Sequence, residues 1–171
     1  AAVIEGLTRA IPREQRPEPG LSYLAGLLHN FGYLVLAHVF PPHFSLICRH
    51  LEANPHLSHG HVEQHLLGIT REQIGAWLMR LWGMPEELAA ALRFQNDPGY
   101  DGEDAAYPNL VCLAVRMLRN RGIGSGPDAE VPQQLFDRLG ITREKANDAI
   151  AKVLAAEAAL RALAMQFNPS H

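Results

Sequence analysis

Several features that mark secreted, membrane-spanning or nucleic-acid-binding chains are scarce in this sequence. Its 171 residues include two cysteines, Cys48 and Cys112. Both lie in apolar stretches, so we expect buried free thiols in a reducing compartment, with a disulfide between them as the alternative. Lysine and arginine total 15 against 18 acidic side chains, which leaves no basic surface for nucleic acid. No uninterrupted apolar run reaches the roughly 18 residues of a membrane span. The sequence therefore predicts a cytoplasmic protein that binds neither nucleic acid nor membrane.

Convincing strand patterns are also lacking, whereas apolar residues recur at helical spacing along most of the chain. Ser58 is a good helix N-cap, and Thr70 with Gln73 three residues later has the pattern of a capping box. The predicted helices cover about 21–40, 41–53, 58–67, 86–94, 108–121, 132–139 and 142–167, and a further one begins at Thr70. The fold class is predicted to be all-α. A chain of this length suits one domain that buries ~70% of its unfolded surface.

Two stretches are predicted to build the core of this domain. Residues 21–40 carry apolar side chains on nearly every face, with Gly26 and Gly32 inside the stretch, so we expect a central buried helix pair or a bent helix. Trp82, with Leu78 and Leu81, is expected to fill the space between the helix that ends there and the one that begins after Pro85.

Short motifs along the chain resemble those of one known family. Residues 26–32 read GLLHNFG and resemble the GLLHDIG segment of the HD superfamily. The later motifs follow the order and spacing of the HDOD (HD-related output domain) branch of bacterial signalling proteins. They are Glu63, Leu67-Gly68, Ile74-Gly75, WGMPEEL at 82–88, Leu113-Ala114, RGIG at 121–124 and Leu139-Gly140. The resemblance implies an HD-type helical core with a C-terminal helical extension.

The resemblance also implies a domain organisation. It covers nearly all of residues 1–171, which are expected to form a single HDOD-like domain. Within it, residues 1–16 correspond to the tail of an upstream helix, 17–98 to the HD-like core and 99–171 to the C-terminal helical part. The N-terminal part of the family domain is accordingly expected to precede the sequence.

The same resemblance locates a metal centre whose ligands have been replaced. Metal-dependent members of the superfamily use a His-Asp pair, a further histidine, a His-His pair and a later aspartate. The matching positions here are His29, Asn30, Arg71, Gln95, Asn96 and Val115. Only His29 keeps a metal donor, because neutral amides are poor ligands and the guanidinium of Arg71 stays charged and repels a cation. We therefore expect no metal, no cofactor and no metal-activated water for hydrolysis.

The favoured function is a non-catalytic output module of a bacterial signal-transduction pathway, in effect a pseudoenzyme. It would act on other signalling proteins or domains, with a homodimer as a further option. Two alternatives stay open at this point. Arg71, Gln95 and Asn96 could line a refashioned pocket for an anion or nucleotide, or His29 could serve a residual metal-dependent phosphohydrolase acting on a nucleotide or cyclic dinucleotide.

Two further groups of residues are candidates for binding sites. Four clustered histidines, of which His61 and His65 are four residues apart, could reach a metal, but an exposed polar helix face is the favoured interpretation. The cluster comprises His56, His59, His61 and His65. The glycine-rich residues 122–126 follow a helix rather than a strand, so a turn is favoured over a phosphate-binding loop.

The long C-terminal helix is the leading candidate for an interaction surface. Its apolar stripe consists of Ile150, Val153, Leu154, Leu160, Leu163 and Phe167. Most of this stripe is expected to dock on the core of the domain. The remaining alanine-rich face is unusually uncharged for a solvated surface, and small side chains permit close approach of a second helix.

Overall fold

The structure, a computed structural model, describes residues 1–124 and 129–167, with side chains up to Met165. Within these ranges it contains ten α-helices and no strand, which confirms the all-α prediction. The helices are α1 Ala2–Ala10, α2 Pro19–Leu28, α3 Phe31–Val39, α4 Pro41–Ala53, α5 His59–Leu67, α6 Arg71–Leu81, α7 Glu86–Phe94, α8 Ala106–Arg119, α9 Gln133–Leu139 and α10 Arg143–Phe167.

The helix boundaries follow the local signals in the sequence. Ser58 accepts a hydrogen bond from the backbone N–H of His61 at the start of α5. Both halves of the capping box between Thr70 and Gln73 are present at the start of α6. Gly68 caps the C-terminus of α5, between these two N-caps. Its positive φ of 72° is a left-handed conformation that glycine adopts without strain. This tight junction fixes where α5 ends and where α6 begins.

Helix α8 occupies the centre of the hydrophobic core. It contacts α1, α2, α7 and α9, and the first half of α10 lies against α1 on the outside of this group. Fully buried side chains of the core include Leu7, Leu88, Leu113, Leu135, Phe136 and Ile150. Helices α3 and α6 contact each other, and α6 contacts α7. The domain is therefore held together by elements from both ends of the chain.

Residues 21–40 form a helix pair, as predicted, but not a centrally buried one. The two helices meet at a turn at His29-Asn30, and large apolar side chains such as Leu27 and Leu34 are 60% and 61% exposed. The stretch Pro19–Val39 is long and apolar enough to cross a membrane by length and composition, and 28% of its most apolar 18-residue window is buried. That criterion is weak evidence, because core helices meet it too, and the absence of membrane contact stays a prediction.

Trp82 does not fill the core, so that prediction is wrong. Its side chain is 56% exposed and Leu81 beside it is 63% exposed, whereas Met79 on the same helix is buried. The reason is that α6 ends at Leu81, and Trp82 sits at its C-cap, where the chain turns outward. Trp82 instead contacts Phe31 of α3 edge-on, with ring centroids 5.3 Å apart.

Both cysteines are free, so the predicted thiols are confirmed. Cys112 is buried in α8, while Cys48 in α4 is only half-buried. Burial raises the pKa of the Cys112 thiol, which keeps it in the protonated, unreactive form.

Candidate functional site

One cavity of about 300 Å³ lies where α2, α3, α6, α7 and α8 approach one another. All six positions that match the metal centre of the superfamily line it: His29, Asn30, Arg71, Gln95, Asn96 and Val115. Residues separated by more than 80 positions in the chain are thus brought together. The further lining residues are His59, Glu72, Leu118, Arg119, Ile123 and Gly124.

His29 and Asn30 form the turn between α2 and α3. The Nδ1 atom of His29 lies 2.8 Å from the carbonyl oxygen of Gly26. Because a carbonyl oxygen can only accept, Nδ1 carries the proton, and Nε2 of the neutral ring is left as an acceptor. Burial lowers the pKa of His29 and thereby favours this neutral form. The backbone bond agrees with the expectation for a histidine in apolar surroundings, although His29 lines a cavity and is half-buried.

Arg71 is held by a partner that is more deeply buried than itself. Its guanidinium forms an ion pair with Glu63, whose side chain is 1% exposed against 12% for Arg71. The other carboxylate oxygen of Glu63 accepts a hydrogen bond from the backbone N–H of Arg71 at 2.9 Å, at the start of α6. The guanidinium also lies over the ring of Tyr33, 4.8 Å from its centre. The charge of Arg71 is therefore largely compensated within the protein.

The two amides at the end of α7 are engaged differently. Gln95 is buried, and its Nε2 donates to the carbonyl oxygens of His29 at 2.8 Å and Leu92 at 3.0 Å. Both amide protons of Gln95 are thus in use, and its Oε1 is the group left over as an acceptor. Asn96 is exposed and donates through Nδ2 to Glu72 Oε1 at 2.7 Å.

Three polar residues of this cavity were not identified from the sequence. His59 had been grouped with the surface histidines, but it is half-buried in the cavity, whereas His56, His61 and His65 are exposed. Burial, together with the positive charges of Arg71 and Arg119, lowers the pKa of His59. Glu72 follows Arg71 directly in sequence, and that adjacency was the one available signal for it. Arg119, the last residue of α8, belongs to none of the motifs in the sequence.

The glycine-rich segment after α8 borders the same cavity. Ile123 and Gly124 line it, while Ser125 and Gly126 of this segment lie outside the described residues. The segment follows a helix, as expected for a turn. Arg121 nearby points away from the cavity and donates to the carbonyl oxygen of Met117 at 2.8 Å.

The donor set of the cavity differs from that of a metal centre. In the part of the chain that the structure describes, no three histidine, cysteine, aspartate or glutamate side chains come together in a way that could hold a metal ion. Two imidazoles, two arginines and three side-chain amides line the cavity with a single carboxylate. Such a mixture is suited to hydrogen bonding and to anions.

Comparison with known proteins agrees with the resemblance drawn from the motifs. Residues 1–98 match the HDOD domain. A crystal structure of a protein attributed to signal transduction, from Marinobacter aquaeolei VT8, is 45% identical and superimposes with a TM-score of 0.84 over 95% of this chain and 37% of that chain. A crystal structure of an HDOD domain protein with unknown function, from Geobacter sulfurreducens, is 20% identical, with a TM-score of 0.69 over 96% of this chain and 60% of that one.

A curated relative is more distant. An uncharacterised protein of Treponema pallidum (strain Nichols) is 24% identical over 125 residues, which amount to 72% of this chain and 24% of the relative. The chain thus spans about a quarter of this relative and well under half of the Marinobacter protein. The matches associate the chain with signal transduction. On the match over residues 1–98, the chain belongs to the HDOD family.

Proposed function

We propose that this domain is a cytoplasmic, non-catalytic output module of a bacterial signalling pathway, which acts by contact with another protein rather than by hydrolysis. The observation that carries the first half of the proposal is the composition of the cavity. Of the six positions that would surround a metal, only His29 offers a metal donor of the expected type, and the Arg71 guanidinium occupies another. A hydrolytic water would have no metal to lower its pKa.

The distal half of α10 supports the second half of the proposal. Ile150 is fully buried and Val153 and Leu154 are half-buried, as the predicted stripe requires. Three of the five described stripe residues thus dock on the core, and Phe167 lies outside the described side chains. Beyond Leu154 every side chain from Ala155 to Met165 is exposed, including Leu160 at 67% and Leu163 at 50%. Short helices without packing are marginal in water, so this segment would gain stability from a partner.

The apolar spacing along α10 indicates what kind of partner fits. Ala149, Val153, Ala156, Leu160 and Leu163 are separated alternately by four and three residues, which is the spacing of a coiled-coil seam. Ala149 and Val153 pack against α1 within the domain. Ala156, Leu160 and Leu163 are exposed and continue the seam beyond the contact with α1. We take the occupant to be the same segment of a second copy, since a seam of small and leucine side chains is complementary to itself in an antiparallel pair.

Charge placed on this seam is expected to abolish self-association. Leu160→Glu with Leu163→Glu would bring like charges together between two desolvated helices, so the double variant should sediment as a monomer where the wild type is a dimer. The matched control is Ala158→Glu with Ala162→Glu, which adds the same two charges at positions facing away from the seam. Sedimentation velocity over a concentration series, with helix content checked by circular dichroism, makes the comparison.

Two results would contradict this surface. A wild-type chain that stays monomeric at the highest attainable concentration has no self-complementary seam. Equal dissociation of both double variants would mean that added charge, and not its position on α10, causes the change. In the second case the exposed corner formed by Trp77, Leu81 and Trp82 is the next surface to test.

A further inference from the structure

The cavity contains an arginine, Arg119, that forms no ion pair with any residue the structure describes. Arg119 is the last residue of α8 and is half-buried. Among residues 1–124 and 129–167, no carboxylate lies within ion-pair distance of its guanidinium, and no acceptor is hydrogen-bonded to it. Burial, and then the nearby charges of Arg116 and Arg71, lower the pKa of Arg119. A half-buried guanidinium of this kind attracts a negatively charged group.

Two carboxylates lie close to the cavity and offset part of its positive charge. Glu63 is paired with Arg71, so that this pair adds little net charge. Glu72, the one described carboxylate that lines the cavity, accepts a hydrogen bond from Asn96. Glu72 itself is buried, at 9% exposed, and with Asn96 it also lines a neighbouring depression beside Arg93. Among the described residues, three cations, Arg71, Arg116 and Arg119, stand against the two carboxylates in this region, and the net positive charge favours an incoming anion.

Two further side chains that line the cavity, His29 and Gln95, offer acceptors. His29 Nδ1 donates to Gly26, so Nε2 of the neutral ring is left to accept a hydrogen bond. Both amide protons of Gln95 are used by backbone carbonyl groups, so its Oε1 is likewise left to accept. A ligand that satisfies Arg119 and these two acceptors carries an anionic head for the guanidinium and hydroxyl groups for His29 and Gln95.

The size of the cavity limits the ligand further. At about 300 Å³ the cavity lies at the lower end of the range of small-molecule sites, ~300–1,000 Å³. We infer that it binds a small organic anion that carries hydroxyl groups, such as a sugar acid or a sugar phosphate, with the anionic head on Arg119. Binding here requires neither a metal nor turnover, and it is independent of the seam on α10.

Calorimetric titration of the chain with a matched set of small molecules tests the inference. The probes are gluconate and ribose 5-phosphate, which have both features, hexanoate, which has the charge without hydroxyl groups, and ribose, which has hydroxyl groups without the charge. Saturable binding of gluconate or ribose 5-phosphate, with hexanoate and ribose at least about tenfold weaker, is expected, since each lacks one set of hydrogen bonds. Which of the two binds better identifies the head group as carboxylate or phosphate.

A pair of variants locates the site. Arg119→Gln should weaken binding of the better probe at least about tenfold by removing a charge-assisted contact. Arg121→Gln removes a charge two residues away that does not line the cavity, and it should leave binding unchanged. Thermal unfolding of both variants verifies that they fold. The inference is overturned if neither hydroxylated anion binds saturably, if hexanoate binds as well as gluconate, or if a folded Arg119→Gln binds like the wild type.

Discussion

Substitution of Gly32 by alanine is expected to destabilise the protein by about 3 kcal/mol, because α3 and α6 cross with almost no space between their backbones. A Cβ atom on Gly32 would lie 1.9 Å from the carbonyl oxygen of Arg71 and 2.8 Å from its carbonyl carbon. Backbone atoms cannot turn aside as a flexible side chain can, so the two helices would have to separate. Chemical denaturation followed by circular dichroism measures the change in the free energy of unfolding.

Gly60 provides a matched control for this prediction. It lies near the start of α5, and no heavy atom lies within 4 Å of the position that its Cβ would occupy. Gly60→Ala should leave the stability unchanged or raise it by roughly a few tenths of a kcal/mol, because alanine restricts the unfolded chain. Similar stabilities for Gly32→Ala and Gly60→Ala would show that α3 and α6 are not in close contact.

Substitution of Glu63 by glutamine is expected to cost about 3 kcal/mol, because it leaves the guanidinium of Arg71 without its counter-charge in a largely buried position. Glutamine keeps the volume of the side chain and one acceptor, so the loss isolates the contribution of charge. The carboxylate of Glu63 also accepts a hydrogen bond from the backbone N–H of Arg71 at the start of α6, where a negative charge is favourable. Denaturant midpoints at neutral pH measure the difference.

An exposed ion pair gives the comparison for Glu63. Arg80 and Glu86 are joined by hydrogen bonds, but their side chains are 55% and 54% exposed. Glu86→Gln should therefore cost less than about 1 kcal/mol. Combining Glu63→Gln with Arg71→Gln should destabilise less than the sum of the two single variants, since no charge is then left buried. Equal effects of Glu63→Gln and Glu86→Gln would mean that the buried pair does not hold Arg71 in place.

The sequence carried enough local information to predict most of the secondary structure. Caps such as Ser58 and the capping box at Thr70 act within a few residues, so their signals are visible without the fold. Which face of a helix is buried depends on distant partners. Trp82 shows the difference, since its apolar character suggested burial, whereas the end of α6 one residue earlier turns it outward.

The candidate site was only partly visible in the sequence, for a similar reason. Family motifs gave the positions from His29 to Val115, and the fold brings all of them to one cavity. Arg119 and His59 belong to no motif, and their part in the cavity arises from the way α8 and the start of α5 approach the turn at His29. The role of Glu63 as the partner of Arg71 also required the structure, because eight residues and a helix junction separate them.

Metal analysis combined with a hydrolysis assay tests the central claim, that this domain signals without catalysis, most directly. The purified wild-type chain is loaded in turn with iron, manganese and zinc, passed through a chelating resin, and assayed for metal content and for hydrolysis of a cyclic dinucleotide and an activated phosphodiester. We expect no stoichiometric metal and no hydrolysis above that of the free ions, because His29 alone cannot retain a cation beside Arg71. Near one equivalent of retained metal with accompanying hydrolysis, both lost in His29→Ala, would contradict the claim and identify a residual phosphohydrolase.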